Sequence, residues 1–174
     1  MADAAHTPRA FVESARSDGL RFRPVEAGDR EFLGELYWDV RREELAPIDW
    51  PEQAKRDFVQ QQYDLQDAHY IKNYPGADLL LIAHGDESIG RVYVFRSARE
   101  IRLMDIALAP AWRNRGIGTR LIEELIDEAT RRGHALTLHV EPNNPAQRLY
   151  RRFGFRLIEQ RGVYDFLGWD PPAP

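Results

Sequence analysis

Residues 100–129 read EIRLMDIALAPAWRNRGIGTRLIEELIDEA. The run "EIRLMDIALA" has strand character and Pro110 ends it. From there Ile117, Leu121, Ile122, Leu125, Ile126 and Ala129 recur at helical spacing and form one apolar stripe. A strand feeding an amphipathic helix commits the chain to layers, because the stripe must be buried against a sheet. The junction between them is "RNRGIGT", residues 113–119. A helix start leaves N–H groups unpaired and carries partial positive charge, so a phosphate is a natural partner there. Glycines let an anion approach the backbone, and Arg113 and Arg115 add forked donors. A plain flexible turn is the alternative reading of the same seven residues.

The rest of the chain fits the same layered plan. "LRFRPV" (20–25) alternates like a half-buried strand. Phe32, Leu33, Leu36, Tyr37 and Val40 predict a helix, with Gly28 or Asp29 available as its cap. A second helix opens at Pro51 and presents a thin apolar face of Ala54, Phe58 and Leu65. "DLLLIA" and "SIGRVYVF" flank "HGDE" as a hairpin. Gly133 closes the amphipathic helix, "HALTLHV" is a strand, and residues 144–154 form a short helix ending at Gly154. "FRLIEQ" and "VYDFLGW" pair around Arg161 and Gly162. The expected class is α+β: a mostly antiparallel sheet of six to seven strands with some parallel crossover and about four helices. One domain spans 20–170, between a mobile tail over 1–19 (with a helical piece around Phe11–Ala15) and a short tail over 171–174.

Composition narrows the function. With 24 Lys and Arg against 28 Asp and Glu, the net charge is −4, so a duplex-binding surface is not expected. There is no cysteine, which removes thiol nucleophiles and thiolate metal sites and fits a reducing cytoplasm. No apolar run approaches the roughly 20 residues of a membrane helix. The glycines at 116 and 118 have no following lysine for a phosphate loop, and Leu121 stands where a dinucleotide motif needs a third glycine. His134 and His139 lie on opposite faces of a strand, so no metal is expected, and there is no GxSxG elbow for a hydrolase.

"LAPAWRNRGIGTRLI" resembles the acyl-coenzyme A site of the GNAT N-acetyltransferases, with Arg113, Gly116 and Gly118 in the signature places. "VEPNNPAQRLYRRFGF" resembles the family's second block through Asn143 or Asn144, Ala146, Leu149, Tyr150, Gly154 and Phe155. The resemblance covers nearly all of 20–169. It implies that the strands over 100–109 and 134–140 run parallel and splay into a V, helped by a bulge near Ala107–Leu108. Pantetheine would lie in the V against the backbone of Ile106, Ala107 and Leu108, with Asn143, Asn144 and Ala146 on its other side. The diphosphate would meet Arg113, Asn114 and the amides of Arg115, Gly116, Ile117, Gly118 and Thr119. Tyr150 would be the general acid for the departing thiolate, and also touch the cofactor.

The resemblance implies acetyl-coenzyme A as co-substrate and an amine of a small molecule or peptide as acceptor. The base is open among Asp105, Glu100 and Glu141, with Asp105 the first choice unless it only pairs with an arginine such as Arg102. The acceptor is expected beside Tyr37, Trp38, Glu43, Glu44, Asp49, Trp50, Tyr63 and Tyr70. A coenzyme A-binding sensor without catalysis is the competing class, and the chain is expected as a monomer or homodimer. Side chains capping the amides of 115–119, or two strands paired along their full length, would contradict this arrangement.

Overall fold

The computed structural model describes residues 19–172. The expected N-terminal tail with its helical piece, Gly19 apart, lies outside them, as do the last two positions of the expected C-terminal tail. The described elements are β1 (Leu20–Pro24), α1 (Arg30–Leu45), α2 (Glu52–Asn73), β2 (Asp78–His84), β3 (Glu87–Arg96), β4 (Glu100–Leu108), α3 (Ile117–Arg132), β5 (Ala135–Val140), α4 (Gln147–Arg152), β6 (Arg156–Arg161) and β7 (Tyr164–Trp169). Among the described residues the strands form one seven-stranded sheet in the order β1-β2-β3-β4-β5-β7-β6. Neighbours are antiparallel except β4 and β5. That pair is parallel because α3 carries the chain back across the sheet, as a parallel connection requires.

Helices pack on both faces of the sheet, away from its β6 edge. The α3 stripe buries Leu121, Ile122 and Leu125 against Ile101, Leu103, Leu136 and Leu138. On the opposite face Leu33 and Leu36 of α1 pack with Tyr63 of α2 and Leu81 of β2. The α2 face differs from the expected one. Val59 and Tyr63 are buried, whereas Phe58 and Leu65 are exposed. Tyr63 packs in the α1 cluster and Val59 against Trp38, so tertiary contacts choose a face that apolar content alone did not mark. The last helix is also shorter than expected. Residues 144–146 form a turn in which the Ala146 N–H donates to the Asn144 side chain (2.9 Å), and the helix begins at Gln147.

Three carboxylate–arginine contacts fix the frame. Arg23 donates to both oxygens of Asp29 (2.7 Å each), and Asp29 also accepts from the Glu26 N–H at the entry to α1 (2.8 Å). Arg96 of β3 grips both oxygens of Glu128 on α3 (2.8 Å each) and reaches Asp78 on β2. Gly133 then ends α3 in the left-handed conformation, φ 64°.

The centre of the sheet opens. β4 and β5 pair from Glu100↔Ala135 to Leu103↔Leu138 and no further. Opposite β3, Tyr93 faces Asp105 and Val94 faces Leu103, so Met104 is an extra, unopposed residue. The bulge therefore sits at Met104, not at Ala107–Leu108 as expected. Its effect is a change of face. Ile101 and Leu103 pack toward α3, and so do Ile106 and Leu108. Asp105 and Ala107 are turned to the side of α1 and α2, which a regular strand would have denied Asp105.

The end of β4 also depends on Gly90, which pairs with Leu108. A Cβ at Gly90 would run into the Ala107 carbonyl oxygen and the Leu108 side chain. Gly90→Ala is expected to destabilise the fold by about 2 kcal/mol, as overpacking against fixed backbone does. Urea denaturation read by tryptophan fluorescence measures this, with the slope unchanged and the midpoint lowered.

Candidate active site

Two hollows meet where β4 and β5 diverge. The larger, of about 940 Å³, runs from Ile106–Leu108 on β4 past Asn114 and residues 116–119 to Asn143, Asn144, Ala146 and Tyr150. The smaller, of about 420 Å³, lies toward α1 and α2 and is lined by Tyr37, Tyr70, Tyr74, Arg91, Asp105 and His139 among others. Val40, Ile106, Ala107, Glu141, Asn144 and Tyr150 line both.

The start of α3 forms the floor of the larger hollow. Gly116 is the N-cap in the left-handed conformation (φ 81°), which only glycine adopts cheaply, and Asn114 is also left-handed (φ 58°). No side chain caps this end. The first helical bond is Arg120 N–H to the Gly116 carbonyl (3.1 Å), so the amides of Ile117, Gly118 and Thr119 have no partner among the described residues. These groups, together with the helix dipole, make a seat for an anion.

The two arginines of the junction divide. The Arg113 Nε donates to the Leu108 carbonyl (2.9 Å) and its Nη2 reaches the Asp39 carbonyl (3.5 Å), so it holds the end of β4 to α1 while lining the hollow. Arg115 stacks on Trp112 (4.8 Å), and its side chain is not part of the lining. Trp112 is fixed in turn by His84 (centroids 4.8 Å) and by its Nε1 bond to Glu87 (3.1 Å).

The wall is an open strand edge. Ala109 N–H donates to the Ile89 carbonyl (2.8 Å), a ladder bond toward β3. Alternation then turns the N–H and C=O of Leu108 and Ile106 away from β3, toward the gap where β5 has departed. The Leu108 carbonyl is taken by Arg113, and the Met104 carbonyl accepts from the Tyr70 hydroxyl (3.3 Å).

Tyr150 of α4 stands where the hollows join. It is buried, packs against Phe155 (centroids 5.6 Å), and its hydroxyl bonds no protein group among the described residues. Burial, reinforced by the negative charge of Asp105, pushes its phenol well above the ordinary tyrosine value. Tyr70 is raised in the same way, by burial first and Asp105 second.

Asp105 is paired, though not with Arg102. Its Oδ2 accepts from Arg91 of β3, which also donates to Gln66 (2.8 Å) and lies against the rings of Tyr93, Tyr37 and Tyr63. Burial opposes the Arg91 charge, but Asp105 and the tyrosines outweigh it and hold the guanidinium cationic. Arg102 instead pairs with Glu100 (2.7 Å), whose other oxygen accepts from Thr137 (3.0 Å). Glu100 thus sits in the closed part of the β4–β5 pair and lines neither hollow. Glu141 lines both and accepts from Arg41 (3.0 Å).

Of the residues expected beside the acceptor, Tyr37 and Tyr70 line the smaller hollow and Glu43 and Glu44 the larger. Trp38 and Tyr63 are consumed in packing, and Trp50 lies against Phe58 away from the site. Asp49 is exposed and lines neither hollow. Sequence reasoning missed Arg91, Gln66, Tyr74 and His139. The signal for Arg91 was present: a lone cation in "SIGRVYVF", a run otherwise fit for burial. Among the described residues no cluster of metal-ligating side chains occurs and no helix is long and apolar enough to cross a membrane.

Removing one partner of a buried pair strands the other. Arg91→Met is expected to destabilise the protein by about 3 kcal/mol, and Arg91→Met combined with Asp105→Leu by less, in denaturant titrations of both variants.

Comparison with known proteins accords with this geometry. N-alpha-acetyltransferase RimI of Mycobacterium tuberculosis is 37% identical over 97 residues, 55% of this chain and 57% of that protein. Human cysteine-rich protein 2-binding protein is 47% identical over 57 residues, 33% of this chain but 7% of that protein. The chain therefore spans little more than half of the first and a small part of the second. PaiA N-acetyltransferase from Thermoplasma acidophilum, solved with coenzyme A, shares the fold with a TM-score of 0.64 at 18% identity, over 87% of this chain and 98% of that one. The family model described as Acetyltransferase (GNAT) family matches residues 33–155, which takes in both hollows' central walls, and the chain belongs to that family.

Proposed function

We propose that the protein transfers an acetyl group from acetyl-coenzyme A to a primary amine, by direct attack with both substrates bound. The observation that carries this is the open edge of β4 leading straight to three unpartnered amides at the start of α3. Those features fit coenzyme A. A diphosphate needs several converging donors, and a pantetheine arm with its own amides can lie along an open edge as an extra strand. Acetyl-coenzyme A would supply an activated acyl group and a sulfur leaving group. The Leu108 N–H, turned into the gap, is placed to donate to the thioester oxygen as charge develops there.

Tyr150 serves as the acid. It lines both hollows, and its raised phenol keeps the proton it must give to the departing sulfur. Asp105 is held by Arg91 through Oδ2, which leaves Oδ1 free to accept from the incoming amine and orient it. The acceptor enters through the smaller hollow, whose tyrosines and carboxylates suit a cationic amine.

The test is a thiol-release assay with acetyl-coenzyme A and a panel of amines, beside calorimetry with coenzyme A. Thiol release that needs an amine supports the transferase. Tight coenzyme A binding without turnover supports a sensor instead. Gly118 lines the seat, and a Cβ there would meet only Leu149 at an ordinary 3.9 Å, so the fold tolerates a side chain. Gly118→Leu is expected to keep the melting temperature and weaken coenzyme A binding by about tenfold or more, since the added bulk stands between diphosphate and amides. Tyr150→Phe is expected to lower kcat by about a hundredfold with coenzyme A affinity kept. Because the acting form is the protonated phenol and its pKa is raised, wild-type kcat should not fall as pH rises through about 10, where an ordinary tyrosine ionises.

A further inference from the structure

We propose that the imidazole of His139 is the group that takes the proton from the acceptor amine, an assignment that rests on the transferase reading above. Leu138 is the last residue of β5 paired with β4, so His139 is the first beyond the point of divergence. Leu136, Leu138 and Val140 point into the core beneath α3, which turns Thr137 and His139 to the side of α1 and α2. The bulge at Met104 turns Asp105 to that same side from the other strand. The mouth of the V is thus flanked by one titratable side chain from each diverging strand, and both line the smaller hollow with Tyr150.

The groups of that hollow separate by their bonds. Asp105 is held by Arg91, Glu141 by Arg41, and the His69 Nδ1 by Asn73 (3.0 Å). His139 alone among its lining imidazoles and carboxylates bonds no protein group among the described residues. Its ring is nonetheless fixed in plane, stacked on Phe166 of β7 (4.7 Å, 28°). Around the hollow stand Asp105 and Arg102 of β4, His69 and Tyr70 of α2, Tyr74 just past its end, Tyr37 and Arg41 of α1, Glu141, and Tyr164 of β7. Arg161 of β6 lies over the same Phe166 ring (3.9 Å), and Glu100 stands behind Arg102. His139 is exposed to the hollow, and its partial burial first, then Arg102 and Arg161, lower its pKa from the ordinary value, against an opposing effect of Glu100. The ring is therefore neutral near pH 7, with a lone pair to accept a proton.

The protons balance. The bound ammonium gives one proton to His139, which passes it to solvent. The freed nitrogen lone pair forms the N–C bond as the C–S bond breaks, and the sulfur takes the Tyr150 proton. The remaining surplus proton on the nitrogen restores Tyr150, leaving amide, free thiol and one proton released.

The experiment is the pH dependence of kcat/KM for the full chain with acetyl-coenzyme A and the best amine of the panel, using His139→Gln and His139→Ala. In the wild type, activity should rise with pH through a pKa below that of free imidazole. His139→Gln should lose this limb and drop kcat about a hundredfold, with the KM for acetyl-coenzyme A and the coenzyme A affinity within twofold. Added imidazole should restore part of the His139→Ala rate in proportion to its neutral form, which a structural role would not produce. A His139→Gln enzyme with wild-type kcat and an intact acid limb overturns the assignment while leaving the transferase standing. A wild-type protein that releases no thiol with any amine overturns both.

Discussion

The structure depends on a sheet that parts in its middle. Past Leu103 and Leu138 the two central strands make no ladder, and buried peptide groups cannot be left without partners at no cost. The protein meets part of this need itself, with the Tyr70 hydroxyl on the Met104 carbonyl and the Arg113 guanidinium on the Leu108 carbonyl. The remainder faces a hollow. A gap of this kind persists because each strand is anchored on its far side: β4 by its antiparallel register with β3, and β5 by its register with β7. The crossover helix α3 is pinned from behind by the Arg96–Glu128 contact, so its start points at the opening.

Electrostatics give the two hollows different characters. Bare amides and a helix dipole make the larger one attractive to anions. The smaller one is organised around Arg91, a cation of β3 that is almost wholly enclosed. Burying such an ion is tolerated only with a close counter-charge and further bonds, here Asp105 and Gln66. The pair has reach beyond itself. Burial first, and the Asp105 charge second, hold Tyr150 and Tyr70 in their protonated forms, so a residue on a strand adds to what burial does for a phenol on a helix across the gap.

Much of this was legible in the sequence, for identifiable reasons. The α3 stripe, Pro110, Gly116 and Gly133 each act locally, and local chemistry is what a linear pattern records. That Tyr150 and residues 116–118 would come together around one hollow was legible because two motif blocks flank a recognisable helix and strand. The partner of Asp105 was not, since it comes from a different strand and register is set by the whole sheet. The bulge was partly written in the chain: Ile101 and Leu103, then Ile106 and Leu108, break odd–even parity at Met104. His139 was weighed only as a metal ligand, because nothing local says that its neighbour is the last paired residue. The buried face of α2 was misjudged for a related reason, as Tyr63 is recruited by α1 rather than by its own helix pattern.

A single guanidinium ties together three parts of the molecule. Arg113 follows the turn after β4, opens the glycine junction, and bonds the carbonyls of Leu108 and Asp39 at once. The beginning of α3, the tip of β4 and the middle of α1 are in that sense one mechanical joint. The loop that carries the bare amides is therefore fastened to the strand tip and to the helix on the far side by one and the same side chain.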